Sequence, residues 1–298
     1  MSIILQQVFI LYIFLLLGWL LGKNGKLNSS HTPILSALMV NIFLPCKIFS
    51  SLSKNFSFSY LTVKWKTLVF SVLLLILLHF LSIILSKFIG KTNYEKKVYE
   101  YSLTISNYAY MGYALMESVF GGEALADMIF FCIPFAIYTY TVGYLKLTQN
   151  KISIKRLINP MTVAIFLGIF FGVLGIELPN IIQKVITSSS SCSGPISMLL
   201  TGVVLASFRL RNLFGRVRDY IIITLRLVLI PLTVFFLCKL LGLSEVLQSA
   251  LFVTAMPTGL NTIVFAQNTG NPSEIGARLA FLSHLFSCAT IPLWLSLI

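Results

Sequence analysis

Two runs of this sequence place polar and conformationally unusual residues inside long apolar stretches. One is Ala255-Met256-Pro257-Thr258-Gly259-Leu260-Asn261-Thr262, in the middle of an apolar run from Val246 to Ala266. A helix there loses a backbone hydrogen bond at Pro257 and is weakened again at Gly259. Beyond the break, the unpaired N–H groups near Thr258, Gly259 and Leu260 carry about half a positive charge, which suits an anion. Asn261 and Thr262 add side-chain donors or cap the broken turn. The second run, Ser106-Asn107-Tyr108-Ala109-Tyr110-Met111-Gly112, puts Asn107 150 residues before Pro257. The Asn107 amide both donates and accepts, so ligand contact and capping of broken backbone are both open to it. Tyr108 and Tyr110 offer hydroxyls and apolar walls, or simply packing. Asn41 lies four residues before Pro45, on the same helix face, with substrate contact and helix–helix bonding both open. The candidate binding set is therefore Asn41, Asn107, Tyr108, Tyr110, Gly112, Pro257, Thr258, Gly259, Asn261 and Thr262. Its ligand is read as a small organic anion.

The elements that carry these residues follow from composition. Of 298 residues, 57% are apolar and 10% charged, against about 25% charged in soluble domains. Such a chain is expected to be an all-α integral membrane protein in a lipid bilayer. Ten apolar segments are each long enough to cross a core about 30 Å thick. They run Ile3–Leu21, Thr32–Leu52, Thr67–Phe88, Val98–Phe120, Leu125–Leu147, Leu157–Leu174, Ile181–Phe208, Tyr220–Leu241, Val246–Thr269 and Ile275–Leu297. Fifteen Lys and Arg, from Lys23 to Arg278, fall in alternate loops, against five (Lys54, Lys64, Lys66, Lys184 and Lys239) in the opposing loops. The positive-inside rule then puts both termini outside the cell membrane. The net charge of +13 comes from these short clusters, which fit membrane topology better than a nucleic-acid-binding face.

Ten spans divide into two fives of opposite orientation. Gly18, Gly22 and Gly25 recur as Gly168, Gly172 and Gly175, Thr32-Pro33-Ile34 resembles Gly194-Pro195-Ile196, and Pro134 has a counterpart in Pro292. The reading is a first five-helix repeat over 1–148, a cytoplasmic connection over 149–156 and a second, inverted repeat over 157–298. Both polar runs then fall near the middle of their segments, in corresponding positions of the two halves. Interrupted helices so placed are the best sequence pointer to a transporter's binding site.

Other chemistry is harder to place. Cys46, Cys132, Cys192, Cys238 and Cys288 are dispersed singly, which argues against a disulfide framework, a zinc site or any other metal site. No HExxH, no GxSxG and no Asp pair within a span is present, so an enzyme is disfavoured, and no filter motif suggests a channel. No cofactor is called for. No Lys or Arg precedes the first apolar run, so it reads as a retained helix rather than a signal peptide. Arg226 reads as snorkelling to the cytoplasmic side, and Lys47 near the outer end is open to an attraction for anions. Glu117, Glu123 and Asp127 read as a solvated face, and His79 and His284, without an obvious partner, as structural. Ser197, Thr201 and Gly202 read as packing residues, with lining of the site as the lesser alternative.

Asn41-Ile42-Phe43-Leu44-Pro45, Asn107 to Gly112 and Ala255-Met256-Pro257 to Asn261, in this order and spacing, resemble the auxin efflux carrier family across the whole chain. The resemblance implies ten helices in two inverted five-helix repeats, with helices 4 and 9 broken and crossing at the substrate site. It also implies an elevator-type secondary transporter of small carboxylates such as malate, malonate or auxin, and a homodimer through the scaffold helices. The alternative is a sodium-coupled symporter of the related bile-acid type. One departure stands out: Tyr113-Ala114 follows Gly112 where the family often has a proline, so the bend there is expected to rest on Gly112 and side-chain caps.

Overall fold

The computed structural model describes residues 3–28, 30–148, 157–267 and 269–298. The expected connection 149–156, with Lys151, Lys155 and Arg156, lies outside the described residues. Among the described residues the elements are all helical, apart from an isolated bridge between Ser106 and Thr258. In chain order the helices are α1 (Ile3–Lys23), α2 (Thr32–Asn55, with a π-helical turn at Met39–Phe43) and α3 (Phe58–Ile89). Then come α4 (Asn93–Thr104), α5 (Tyr113–Phe131, entered through a π-helical turn at Tyr108–Gly112), α6 (Ile133–Thr148) and α7 (Pro160–Leu174). The last are α8 (Asn180–Ala206), α9 (Val217–Leu240, preceded by a single helical turn at Leu210–Leu213 and with a π-helical turn at Leu225–Leu229), α10 (Ser244–Ala255), α11 (Asn261–Gln267) and α12 (Glu274–Leu295).

Six of these helices, α1, α2, α3, α8, α9 and α12, are each long and apolar enough to cross a membrane; counting the bent pair α5 and α6 as one span makes seven. Their exposed faces carry large apolar side chains such as Phe9, Leu16, Leu73 and Phe80, as lipid contact requires. The fourth and ninth expected segments are helical but interrupted. With 12 residues each, α4 and α10 reach about 18 Å, well short of a hydrocarbon core of about 30 Å. Gly121, at φ 87°, turns α5 where the fourth expected segment gives way to the fifth. The third segment is longer than expected: α3 has 32 residues, so Lys64 and Lys66 sit on the helix rather than in a loop.

The chain divides into two compact units, each drawing on both halves of the sequence. Unit 1 comprises Met1–Leu68, Ala109–Phe130 and Lys155–Ser207, and unit 2 comprises Val69–Tyr108, Phe131–Ile154 and Phe208–Ile298.

In unit 1, α1 lies along α8 and α7 along α2, and glycines set the separation. A Cβ on Gly18 would stand 2.1 Å from the Leu199 carbonyl oxygen, and one on Gly202 2.0 Å from that of Leu15. A Cβ on Gly172 would stand 2.5 Å from the Phe56 carbonyl oxygen. Lipid supplies no hydrophobic drive between helices, so this close approach carries the association. The start of α7 is fixed locally: the Asn159 side chain accepts from the Met161 and Thr162 N–H groups, and Thr162 Oγ1 accepts from the Asn159 N–H at 3.0 Å. Two expectations change here. Lys47 is buried against Glu117, so its charge already has a carboxylate partner. Asp127 pairs with Lys64 at 2.8 Å, which leaves only Glu123 of the three acids on an exposed face without an ion pair among the described residues.

In unit 2, a close glycine contact recurs, a Cβ on Gly276 standing 2.5 Å from the Thr262 carbonyl oxygen, but buried polar groups add a second kind of tie between helices. The fully buried Asp219 accepts from Arg278 Nε at 2.8 Å and from the Tyr99 hydroxyl at 2.7 Å. Glu95, near the start of α4 and outside the fourth apolar segment, pairs with Arg218 at 3.0 Å. Burial pushes the Glu95 carboxyl up, but the Lys91 N–H, the Tyr99 hydroxyl, Arg218 and the Thr92 contact outweigh it and hold the group below its ordinary value. His79 has partners after all: Nδ1 lies 2.8 Å from the Tyr138 hydroxyl and 3.5 Å from Lys146 Nζ, which itself pairs with Glu100 at 2.6 Å.

Candidate functional site: two interlocked helix breaks

Unit 2 brings the two breaks together. On the ninth segment a local cause is present. Pro257 has no N–H, and the residue before a proline is pushed out of the helical region, so Met256 is extended at φ −68°, ψ 149°. On the fourth segment, Ile105 is extended at φ −110°, ψ 130° with neither proline nor glycine beside it. The break therefore falls at Ile105–Asn107, before the π-helical turn, and not at Gly112, which is buried within that turn. Tertiary partners hold it open. The Ser106 hydroxyl donates to the Val253 carbonyl at 2.6 Å, and the Asn107 N–H to the Pro257 carbonyl at 2.7 Å. Ser106 and Thr258 then form the antiparallel bridge. Gly259 suits this approach, because a Cβ there would lie a tight 3.3 Å from the Ser106 carbonyl oxygen.

Arg226 closes the arrangement. It is completely buried in the π-helical turn of α9, which corrects the snorkelling expectation. Its Nη1 donates to the Leu103 carbonyl at 3.0 Å, Nη2 to Val253 at 3.1 Å and Nε to Met256 at 3.3 Å. One guanidinium thus gathers freed carbonyls from the ends of both α4 and α10. Pro231, four residues after Leu227, cannot donate to the Leu227 carbonyl, and the Trp294 indole N–H takes that place at 2.7 Å.

The remaining polar groups line the breaks. Asn107 is buried, with its amide nitrogen 3.2 Å from His284 Nε2. His284 Nδ1 lies 2.7 Å from the Ala280 carbonyl, which puts the proton on Nδ1 and leaves Nε2 to accept from Asn107. The Asn261 amide donates to the Tyr101 hydroxyl at 3.0 Å, and the Thr258 N–H to Ser283 Oγ at 3.0 Å. Thr262 Oγ1 donates to the Gly259 carbonyl at 3.0 Å, capping the turn before α11. Tyr108 is buried beside Phe135 and hydrogen-bonds Thr139. The Thr258 hydroxyl, fully buried at the bridge, has no hydrogen-bond partner among the described residues.

Unit 2 therefore holds seven of the ten expected site residues: Asn107, Tyr108, Pro257, Thr258, Gly259, Asn261 and Thr262. Asn41, Tyr110 and Gly112 belong to unit 1. There the Tyr110 carbonyl accepts from Ser197 Oγ at 2.8 Å, and the exposed Asn41 amide makes no helix–helix hydrogen bond among the described residues. A cavity of about 500 Å³ in unit 1, near Lys54, Glu177 and Gln183, contains none of the ten. Sequence reasoning missed Ser106, Tyr101, Arg226, Ser283 and His284 as partners in the site. A charged or polar residue deep in an apolar run was the available signal for Arg226 and His284.

Known proteins match this chain along nearly its whole length. The family described as Membrane transport protein matches residues 3–154 and again 146–295. An uncharacterized transporter of Methanocaldococcus jannaschii is 27% identical, covering 97% of both chains. The uncharacterized transporter YfdV of Escherichia coli is 20% identical over 95% of this chain and 94% of its own. A Rhizobium meliloti protein with the provisional name malonate transporter is 24% identical over 62% of each chain.

Proposed function

The chain belongs to the membrane transport protein family, and on that premise we propose that it is a secondary carrier for a small organic anion, with the anion bound at the interlocked breaks. The observation that carries this reading is the Thr258 hydroxyl. It is buried at the bridge between two broken helices and lacks a protein partner among the described residues. A buried polar group left unsatisfied costs about 1–3 kcal/mol, so such a group points to a ligand or water that completes it. Asn107 and Asn261 carry amides on the same two interrupted segments, bonded to His284 and Tyr101. The carboxylate class draws support from the Rhizobium meliloti relative, whose name says malonate.

The carrier works by an elevator-type shift across the cell membrane, with ten spans arranged as two inverted five-helix repeats over 1–148 and 157–298 and both termini outside. Equivalent glycine jobs in the two halves support the repeat. Gly18 and Gly22 seat α1 on α8, while Gly168 and Gly172, at the same offset of 150, seat α7 on α2. The interleaving of both halves in each compact unit is also what two interlocked repeats produce.

Counterflow of labelled malonate, malate and indole-3-acetate in proteoliposomes tests the site. Asn107→Ala and Asn261→Ala are each expected to lower exchange of the transported solute at least ten-fold. Wild-type exchange in both variants would overturn the site assignment.

A further inference from the structure

Arg226 is the one group in the site whose charge is fixed, and among the described residues no carboxylate pairs with it. All of its hydrogen bonds go to neutral carbonyls: Leu103 at the end of α4, and Val253 and Met256 at the end of α10. A helix C-terminus carries about half a negative charge, so two such ends meeting at one point sum to about one. A guanidinium in their midst neutralises them and satisfies the carbonyls at once. In carriers built on broken helices, carbonyl ends of this kind are where a coupling cation is held.

We propose that Arg226 is a tethered cation occupying the coupling-ion position between the α4 and α10 carbonyl ends, so that the protein moves its anion without sodium. The proposal rests on the carrier reading for the word anion, but its structural half stands apart from any transported solute. It also separates this chain from the sodium-symport alternative, because the oxygens a sodium ion would need are already taken. Arg226 acts on the ligand only through the charge balance of the site, which makes it a positioning residue.

The test is the cation dependence of thermal stability, measured on the purified full-length chain in sodium chloride and in choline chloride of equal ionic strength. Wild type and Arg226→Lys are expected to melt at the same temperature in both salts. Arg226→Gln, with the carbonyl ends uncovered, is expected to melt lower than wild type in choline and to recover part of the loss in sodium. Arg226→Ala is expected to be stabilised by millimolar guanidinium ion, with wild type unaffected. A sodium-specific rise in the wild-type melting temperature overturns the proposal, as do folded Gln and Ala variants that ignore both cations. If neither variant folds, the wild-type and Arg226→Lys titrations decide it, a sodium response in either being contrary. Failure of wild type to exchange any carboxylate would sink the carrier reading and leave this result standing.

Discussion

The two units solve the same problem, holding helices together in lipid, with different emphasis. Unit 1 brings backbones into contact through Gly18, Gly22, Gly168, Gly172 and Gly202, with ion pairs such as Lys47–Glu117 and Lys64–Asp127 added to that close packing. Unit 2 interrupts its helices and ties the loose ends with Arg226, Ser106, Asn107 and Ser283. A glycine interface can be tight and featureless; a broken helix must be satisfied group by group. The difference teaches where to look for function, and it predicts that the two units fail differently when mutated.

The largest effect belongs to unit 1. Gly202→Leu puts a side chain where even a Cβ would lie 2.0 Å from the Leu15 carbonyl oxygen, and helix backbone has no room to give. Overpacking commonly costs about 1–3 kcal/mol and more where backbone must shift; folded protein is expected to be lost, read as absence of a monodisperse peak on size exclusion. In unit 2, Ser106→Ala removes the donor to the Val253 carbonyl, which Arg226 still serves. A loss of about 1 kcal/mol in stability is expected from one hydrogen bond, with a lower melting temperature but a folded protein. Pro257→Ala sharpens the comparison of the two breaks. The Asn107 N–H bonds the carbonyl of residue 257, which alanine keeps, so the break persists and stability changes by less than about 1 kcal/mol. A collapse of the protein in this variant would mean that the proline alone makes the break. The smallest effect is at Glu95. Its carboxyl is held below its ordinary value when folded, so its stabilising share is present above the unfolded value and fades as pH falls through the folded one. The melting temperature of Glu95→Gln is expected to fall less than that of wild type as the medium is acidified below about pH 4.5.

What the residues revealed in advance follows the same division. Pro257 announced its own break, because proline acts on the backbone next to it whatever lies around. The break at Ile105 had no such signal: it is made by the Val253 and Pro257 carbonyls, more than 140 residues away, so Gly112 looked the better hinge. Arg226 was legible as a charge in an apolar run but not as a clamp. A π-helical turn adds a residue to the helical count, so the face it presents cannot be read from regular spacing. Lys64 and Lys66 look like loop residues in one dimension; the helix runs through them, and Asp127 holds Lys64. The glycines that pack unit 1 could be seen as a repeat, since close backbone contact leaves almost no other choice of residue.

Thr258→Val probes the proposed anion site itself. It exchanges the buried, unpartnered hydroxyl for a methyl of the same shape, so a purely structural role gains from it or is indifferent. An unchanged or higher melting temperature is expected, together with at least a ten-fold fall in exchange of whichever carboxylate the wild type carries. Undiminished exchange in a folded Thr258→Val protein would contradict the site assignment.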